Sequence, residues 1–127
     1  MHFDHAGVAT DDVDALASLY ADLFDTRVVH TERLDTVRVA FLDFDGSYFE
    51  LLEPTDEGAV RRYLDDNGPG IHHLALGTAD IEAALARMKT SGAELVDEEP
   101  RPGAWGHDVA FIHPKSTGGI LLELVEH

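Results

Sequence analysis

Apolar positions along this chain fall into two rounds of one pattern. Each round opens on an alternating, strand-like stretch, passes through a Thr/Asp turn into a helix-period stripe, and closes with three further strand-like runs. Strands are predicted over 2–9, 27–32, 36–44 and 47–53, and again over 71–77, 93–97, 107–113 and 120–126. Asp12 is placed to cap a helix of about a dozen residues with Val13, Leu16, Tyr20, Leu23 and Phe24 on one stripe. Asp80 does the same for a helix carrying Ile81, Ala84, Leu85 and Met88 and ending near Gly92. A third, short helix over 59–65 precedes the turn Asn67-Gly68-Pro69-Gly70. These elements predict a single α+β domain over 1–127, made of two βαβββ modules in tandem. Module 1 spans about 1–55, a linker helix about 56–69 and module 2 about 70–127.

The repeat extends to polar residues. The first copy reads His5-Ala6-Gly7-Val8-Ala9-Thr10-Asp11-Asp12-Val13, and the second His73-Leu74-Ala75-Leu76-Gly77-Thr78-Ala79-Asp80-Ile81, the two histidines lying 68 residues apart. Later in each copy a glutamate interrupts an apolar run: Glu50 in Tyr48-Phe49-Glu50-Leu51-Leu52 and Glu123 in Leu121-Leu122-Glu123-Leu124-Val125. Strand alternation sets Glu50 on a face with Tyr48 and Leu52, and Glu123 on a face with Leu121 and Val125, while Ile120, Leu122 and Leu124 face the other way. An isolated carboxylate among such neighbours is costly, and a metal ion removes that cost. One His and one Glu per module can converge on one point, giving a nitrogen/oxygen site without soft ligands, suited to a divalent Lewis acid. His72 is adjacent to His73, but the repeat aligns His73 with His5 and alternation turns His72 toward the helix-covered side. His2, His30 and His127 read as surface or terminal residues, and His107 as a loop or strand-start residue.

Composition narrows the class. Twenty-five acids against nine bases give a net charge of −16, and only Lys89 and Lys115 are lysines. Such a surface repels nucleic acid and anionic membranes. The acids are spread between periodic apolar positions, as in a salt-adapted, halophilic protein and not a disordered tail. Without cysteine there are no disulfides, thiolate nucleophiles or sulfur-ligated zinc. No run reaches transmembrane length and no signal pattern opens the chain, which predicts a cytoplasmic protein.

With the repeat and the His/Glu quartet in hand, the chain resembles the vicinal oxygen chelate superfamily, and within it the methylmalonyl-CoA epimerase family. The stretches that carry this are Asp4-His5-Ala6-Gly7-Val8, Phe49-Glu50-Leu51-Leu52-Glu53-Pro54, Gly70-Ile71-His72-His73-Leu74-Ala75-Leu76, Asp97-Glu98-Glu99-Pro100-Arg101-Pro102-Gly103 and His113-Pro114-Lys115-Ser116-Thr117-Gly118-Gly119. The resemblance implies a curved eight-stranded mixed sheet around a metal site, ligated by His5, Glu50, His73 and Glu123. It implies Co²⁺ or Mn²⁺ as plausible ions, methylmalonyl-CoA as substrate, a homodimer, and removal and return of an α-proton through a metal-stabilised enolate, with Glu123 as one base. Two departures stand out. Many epimerases carry glutamine at position 50, and some carry a second basic glutamate where this chain has Val39. Glu50 is therefore the expected second catalytic base, as the paired glutamates serve in the related glyoxalase I enzymes. Lys115 and Ser116 are candidates for contact with thioester, carboxylate or coenzyme A phosphate, and Trp105 stands between pocket wall and loop anchor. The rival activity is a glyoxalase I-type lactoylglutathione lyase, which shares the quartet. The Glu-Glu-Pro-Arg-Pro-Gly and His-Pro-Lys-Ser-Thr-Gly-Gly segments favour the epimerase.

Overall fold

Asp12 and Asp80 open their helices almost identically in the computed structural model, which describes every residue from Met1 to His127. Asp12 has φ −148° and ψ 95°, Asp80 φ −145° and ψ 94°, and each carboxylate accepts the amide hydrogen three residues on, from Ala15 and Ala83, at 3.0 Å. The hydroxyls of Thr10 and Thr78 accept from the Asp12 and Asp80 amides at 3.2 and 3.3 Å. A third acid arrives from the far end of each module: Glu53 accepts from the Val13 amide at 2.8 Å and Glu126 from the Ile81 amide at 2.9 Å. First-turn amides have no partner within a helix, and carboxylates there also oppose the positive end of the helix dipole. Arg38 braces the Glu53 cap with an ion pair at 3.6 Å while hydrogen-bonding Asp14. Those hydrogen bonds to Asp14, before its charge attraction and that of Glu53, hold the guanidinium pKa above its ordinary value.

The fold is α+β, with eight strands of mixed sense and three helices in two βαβββ repeats. Two compact units divide it, His5–His72 and the pair of segments Met1–Asp4 and His73–His127. In the first unit, strands β1 (His2–Ala9, from His5 onward), β2 (Val28–Leu34), β3 (Val37–Phe44) and β4 (Ser47–Pro54) run in the order β2-β3-β4-β1. The pair β1/β4 is parallel and the others antiparallel. Helix α1 (Val13–Phe24) covers one face, where Val8, Val13, Ala17, Ala40, Leu42 and Leu51 form a buried core joined by Leu16 and Tyr20. Helix α2 (Ala59–Asn67) follows, with Val60 and Leu64 buried.

The second unit repeats the plan. Strands β5 (Gly70–Thr78), β6 (Arg101–Pro102), β7 (Asp108–Ile112) and β8 (Leu122–Glu126) run β5-β8-β7-β6, with β5/β8 parallel. Helix α3 (Ile81–Thr90) packs Ile81, Ala84 and Leu85 onto Ala110, Ile112 and Leu124. No helix is long and apolar enough to cross a membrane.

Three expectations are corrected. The run 93–97 is not a strand: it makes one isolated bridge, Leu95 to Ile112, and the short β6 takes its place in the order. The amides of Val96 and Asp97 both donate to the Phe111 carbonyl, and the Asp97 side chain accepts from the Phe111 amide at 2.8 Å. A side chain thus occupies the donor that a regular ladder would use. On α1, Leu23 and Phe24 are 62% and 56% exposed, because Val13, Leu16, Ala17 and Tyr20 already fill the contact with the sheet. Ile120, expected on the last strand, is exposed and precedes it, since β8 starts at Leu122.

Because each helix start depends on local acceptors, Asp12→Ala and Asp80→Ala are each expected to lower stability by about 1 kcal/mol. Urea unfolding monitored by circular dichroism should show a lower midpoint at an unchanged slope.

Candidate metal centre

On each sheet, alternation gives one face to the helix and leaves the other to chemistry. In the first unit Val8, Ala40, Leu42 and Leu51 face α1, so His5, Phe41 and Glu50 point the opposite way. His5 Nε2 lies 3.2 Å from Glu50 Oε1. Glu50 stands opposite Gly7 in the parallel β1/β4 register and opposite Phe41 in the β3/β4 ladder. Gly7 has no side chain to fill the space beside the carboxylate, and the Phe41 ring meets the His5 ring edge-on at 5.8 Å.

The second unit has the same arrangement. His73 Nε2 lies 3.8 Å from Glu123 Oε1, Glu123 is opposite Ala75 and Phe111, and the Phe111 ring meets His73 edge-on at 5.4 Å. All four polar side chains are buried: His5 and His73 are 4% exposed, Glu50 6% and Glu123 7%. In each unit a carboxylate and an imidazole, walled by an aromatic ring, are nitrogen and oxygen donors of the types that borderline divalent ions such as Co²⁺, Mn²⁺ or Zn²⁺ take.

The phenylalanine wall is a site feature that the analysis of sequence missed. Its signal is present, since Val39-Ala40-Phe41-Leu42 and Val109-Ala110-Phe111-Ile112 are one motif repeated on matching strands. The same motif makes Val39 and Val109 counterparts, opposite Leu52 and Val125, and both are buried. His72 packs edge-on against Tyr63 of α2 at 5.3 Å, on the helix side where alternation put it.

The His113-to-Gly119 loop is built around a short 3₁₀ turn over Pro114–Ser116, capped by His113 Nδ1, which accepts from the Lys115 amide at 3.0 Å. Ser116 Oγ accepts from the Glu94 amide at 2.8 Å, so its hydroxyl anchors the loop, while Lys115 is exposed. Trp105 occupies the left-handed region at φ 62° and ψ 22°, unusual for a bulky residue, with its ring 6.3 Å from that of His107.

Residues 4–111 match the model of the Glyoxalase/Bleomycin resistance protein/Dioxygenase superfamily. The chain belongs to that superfamily. It is 36% identical over 126 residues to the ethylmalonyl-CoA/methylmalonyl-CoA epimerase of Cereibacter sphaeroides, covering 95% of this chain and 94% of the relative. Among solved structures it is similar to a variant of Streptomyces coelicolor methylmalonyl-CoA epimerase in complex with 2-nitronate-propionyl-CoA, with a TM-score of 0.94 and 40% identity over 99% of this chain and 94% of that one. A methylmalonyl-CoA epimerase in complex with methylmalonyl-CoA and ammonium matches with a TM-score of 0.93 and 40% identity, over 98% of this chain and 93% of that one. Within the superfamily, these full-length relatives place the chain among the methylmalonyl-CoA epimerases. A lactoylglutathione lyase of Haemophilus influenzae is 25% identical over 130 residues, covering 100% of this chain and 93% of the relative.

Burying a carboxylate opposes folding unless a cation offsets it. In metal-free buffer, Glu50→Leu, which takes away the carboxylate 3.2 Å from buried His5 Nε2, is expected to be less stable than the wild type. Co²⁺ should raise the melting temperature of the wild type and leave that of the variant nearly unchanged, as differential scanning calorimetry would read directly.

Proposed function

We propose that this chain interconverts the two configurations of methylmalonyl-CoA at the α-carbon, with His5, Glu50, His73 and Glu123 acting together on one divalent ion. The observation that carries the reading is the matched pair of buried His/Glu sets, one per module, in a chain similar over its length to named epimerases. When bound, Co²⁺ or Mn²⁺ would act as a Lewis acid that offsets negative charge developing on the thioester oxygen as the α-proton leaves.

The proton transfers belong to the side chains. Glu123 takes the α-proton on one face of the substrate, leaving the C–H electron pair in the thioester enolate. Protonated Glu50, its counterpart in the repeat, delivers a proton to the opposite face of the same carbon. Glu123 ends protonated and Glu50 ionised, and exchange with solvent resets both. The local geometry supports the role of Glu50. Val39 fills the position where some epimerases hold a glutamate, and it lies diagonal to Glu50 on the same face of adjacent strands, because Phe41 opposes Glu50 and Val39 opposes Leu52. Glu32 is the other acid near this position. It sits across from Val39 on β2, but it is more exposed and hydrogen-bonded to His30 at 2.8 Å.

Lys115, in its exposed loop, is assigned to the phosphates of coenzyme A, and Ser116 to holding that loop in place. The reading includes a homodimer in the cytoplasm, without nucleic-acid or membrane partners. The acidic surface is that of a salt-adapted protein, which makes high salt the proper assay condition.

Proton NMR in D₂O, with Co²⁺-reconstituted protein and methylmalonyl-CoA of one configuration, tests the activity. Deuterium entering the α-position together with inversion is expected. Silence there, with turnover of the methylglyoxal–glutathione hemithioacetal, would establish the lactoylglutathione lyase reading instead, which the glutamate at position 50 favours. Glu50→Gln is expected to keep metal and slow inversion by about 10²–10⁴-fold, the usual worth of a general acid–base group. Adding Val39→Glu to that variant should restore part of the loss. Near-normal turnover of Glu50→Gln beside an inactive Glu32→Gln would transfer the role to Glu32.

A further inference from the structure

We infer that His2, Asp4 and His127 form a second metal site, separate from the four His and Glu residues above, that takes a first-row divalent transition ion such as Zn²⁺ or Ni²⁺. The inference does not rest on the epimerase reading. All three residues lie in the second unit, and their ligating atoms are within 4.8 Å of one another. His2 Nε2 is 3.8 Å from Asp4 Oδ1, and His127 Nε2 contacts the same carboxylate oxygen directly.

Strand alternation puts His2 and Asp4, two residues apart on β1, on one side of the strand, and His127 follows directly on the end of β8. The Asp4 side chain is 5% exposed, while those of His2 and His127 are 62% and 39% exposed. A buried carboxylate thus forms the floor, and two solvent-reachable imidazoles form the mouth. Ligand bonds of about 2.0–2.2 Å separate donors on one ion by about 3–3.6 Å. Small side-chain rotations at two exposed histidines suffice to reach that geometry.

Two neighbours favour this arrangement. Gly77 of β5 is a residue whose added Cβ would lie 2.3 Å from the His2 ring, so the glycine is what lets the imidazole rest over that strand. The His107 ring lies 4.1 Å from that of His127, bringing a third imidazole to the mouth. Two imidazoles and one carboxylate leave open positions for water or His107, and the nitrogen donors select a transition ion over Ca²⁺ or Mg²⁺. The charge of −16 draws cations to the surface in general, but it does not build this donor set.

Equilibrium dialysis of the full chain against Zn²⁺ tests the site, comparing wild type, His2→Gln/His127→Gln and His5→Gln/His73→Gln. The first double variant is expected to bind one equivalent fewer than wild type, whether or not the His/Glu residues bind an ion of their own. His5→Gln/His73→Gln should retain the equivalent that the first variant loses. Reconstitution with Co²⁺ should show part of the visible absorption disappearing in His2→Gln/His127→Gln alone, with its epimerase turnover unchanged. Equal stoichiometry in wild type and His2→Gln/His127→Gln would overturn the proposal and leave the three residues as a hydrogen-bonded cluster. Both substituted side chains are solvent-exposed, and circular dichroism of the variant confirms that a lost equivalent is not a lost fold.

Discussion

Burying two carboxylates on apolar sheet faces is the constraint on which the rest of this molecule depends. Glu50 and Glu123 sit almost out of water, each beside an imidazole and an aromatic ring. Packed apolar residues in place of a whole buried His/Glu pair would hold the sheet at least as well, since ionised groups lose much of their hydration on burial. Neighbouring positions are adapted to this. Gly7 and Ala75 leave room opposite each glutamate, and Phe41 and Phe111 exclude water from the far side. The helix-facing surface of the same strands carries the compensating stability in Leu42, Leu51 and Leu124, which are fully buried. One face holds the fold so that the other can hold charge.

Acid residues do two distinct jobs here, separated by position on the strand. Glu53 and Glu126 lie three residues beyond Glu50 and Glu123, so alternation turns them toward the helix side. There they meet the Val13 and Ile81 amides, in each case opening the helix that covers the sheet. A shift of register by one residue would exchange the two sets, removing both the helix caps and the candidate ligands. The Glu-x-x-Glu spacing of each final strand therefore couples the architecture of a module to its chemistry.

Much of this was legible in the sequence because the signals are local or repeated. Asp12 and Asp80 cap their helices through contacts three residues away, and the placement of Glu50 and Glu123 follows from strand alternation. What escaped depends on contacts far apart in the chain. The run 93–97 has strand composition, yet Asp97 reaches Phe111, fourteen positions on, and takes the amide that a ladder would use. Leu23 and Phe24 fit the helical stripe but stand exposed beyond the core that Val13, Leu16, Ala17 and Tyr20 form. His127 and Asp4 are 123 positions apart, and no periodicity connects them. The Val-Ala-Phe repeat is a different case. It was visible in the sequence, but its meaning appears only once Phe41 and Phe111 are seen opposite the glutamates.

Agreement between the two modules bears on the proposed division of the proton transfers. A glutamate at position 39 would make module 1 differ from module 2, which carries Val109 at the matching point. With valine at both, and glutamate at both 50 and 123, the two modules carry the same residue types at these matched positions. A two-base epimerisation needs a proton-transfer group on each face of a planar intermediate, since each face gives up a proton in one direction and receives one in the other. Under the proposed roles, Glu50 and Glu123 would meet that requirement with one carboxylate per module, each beside a histidine and a phenylalanine.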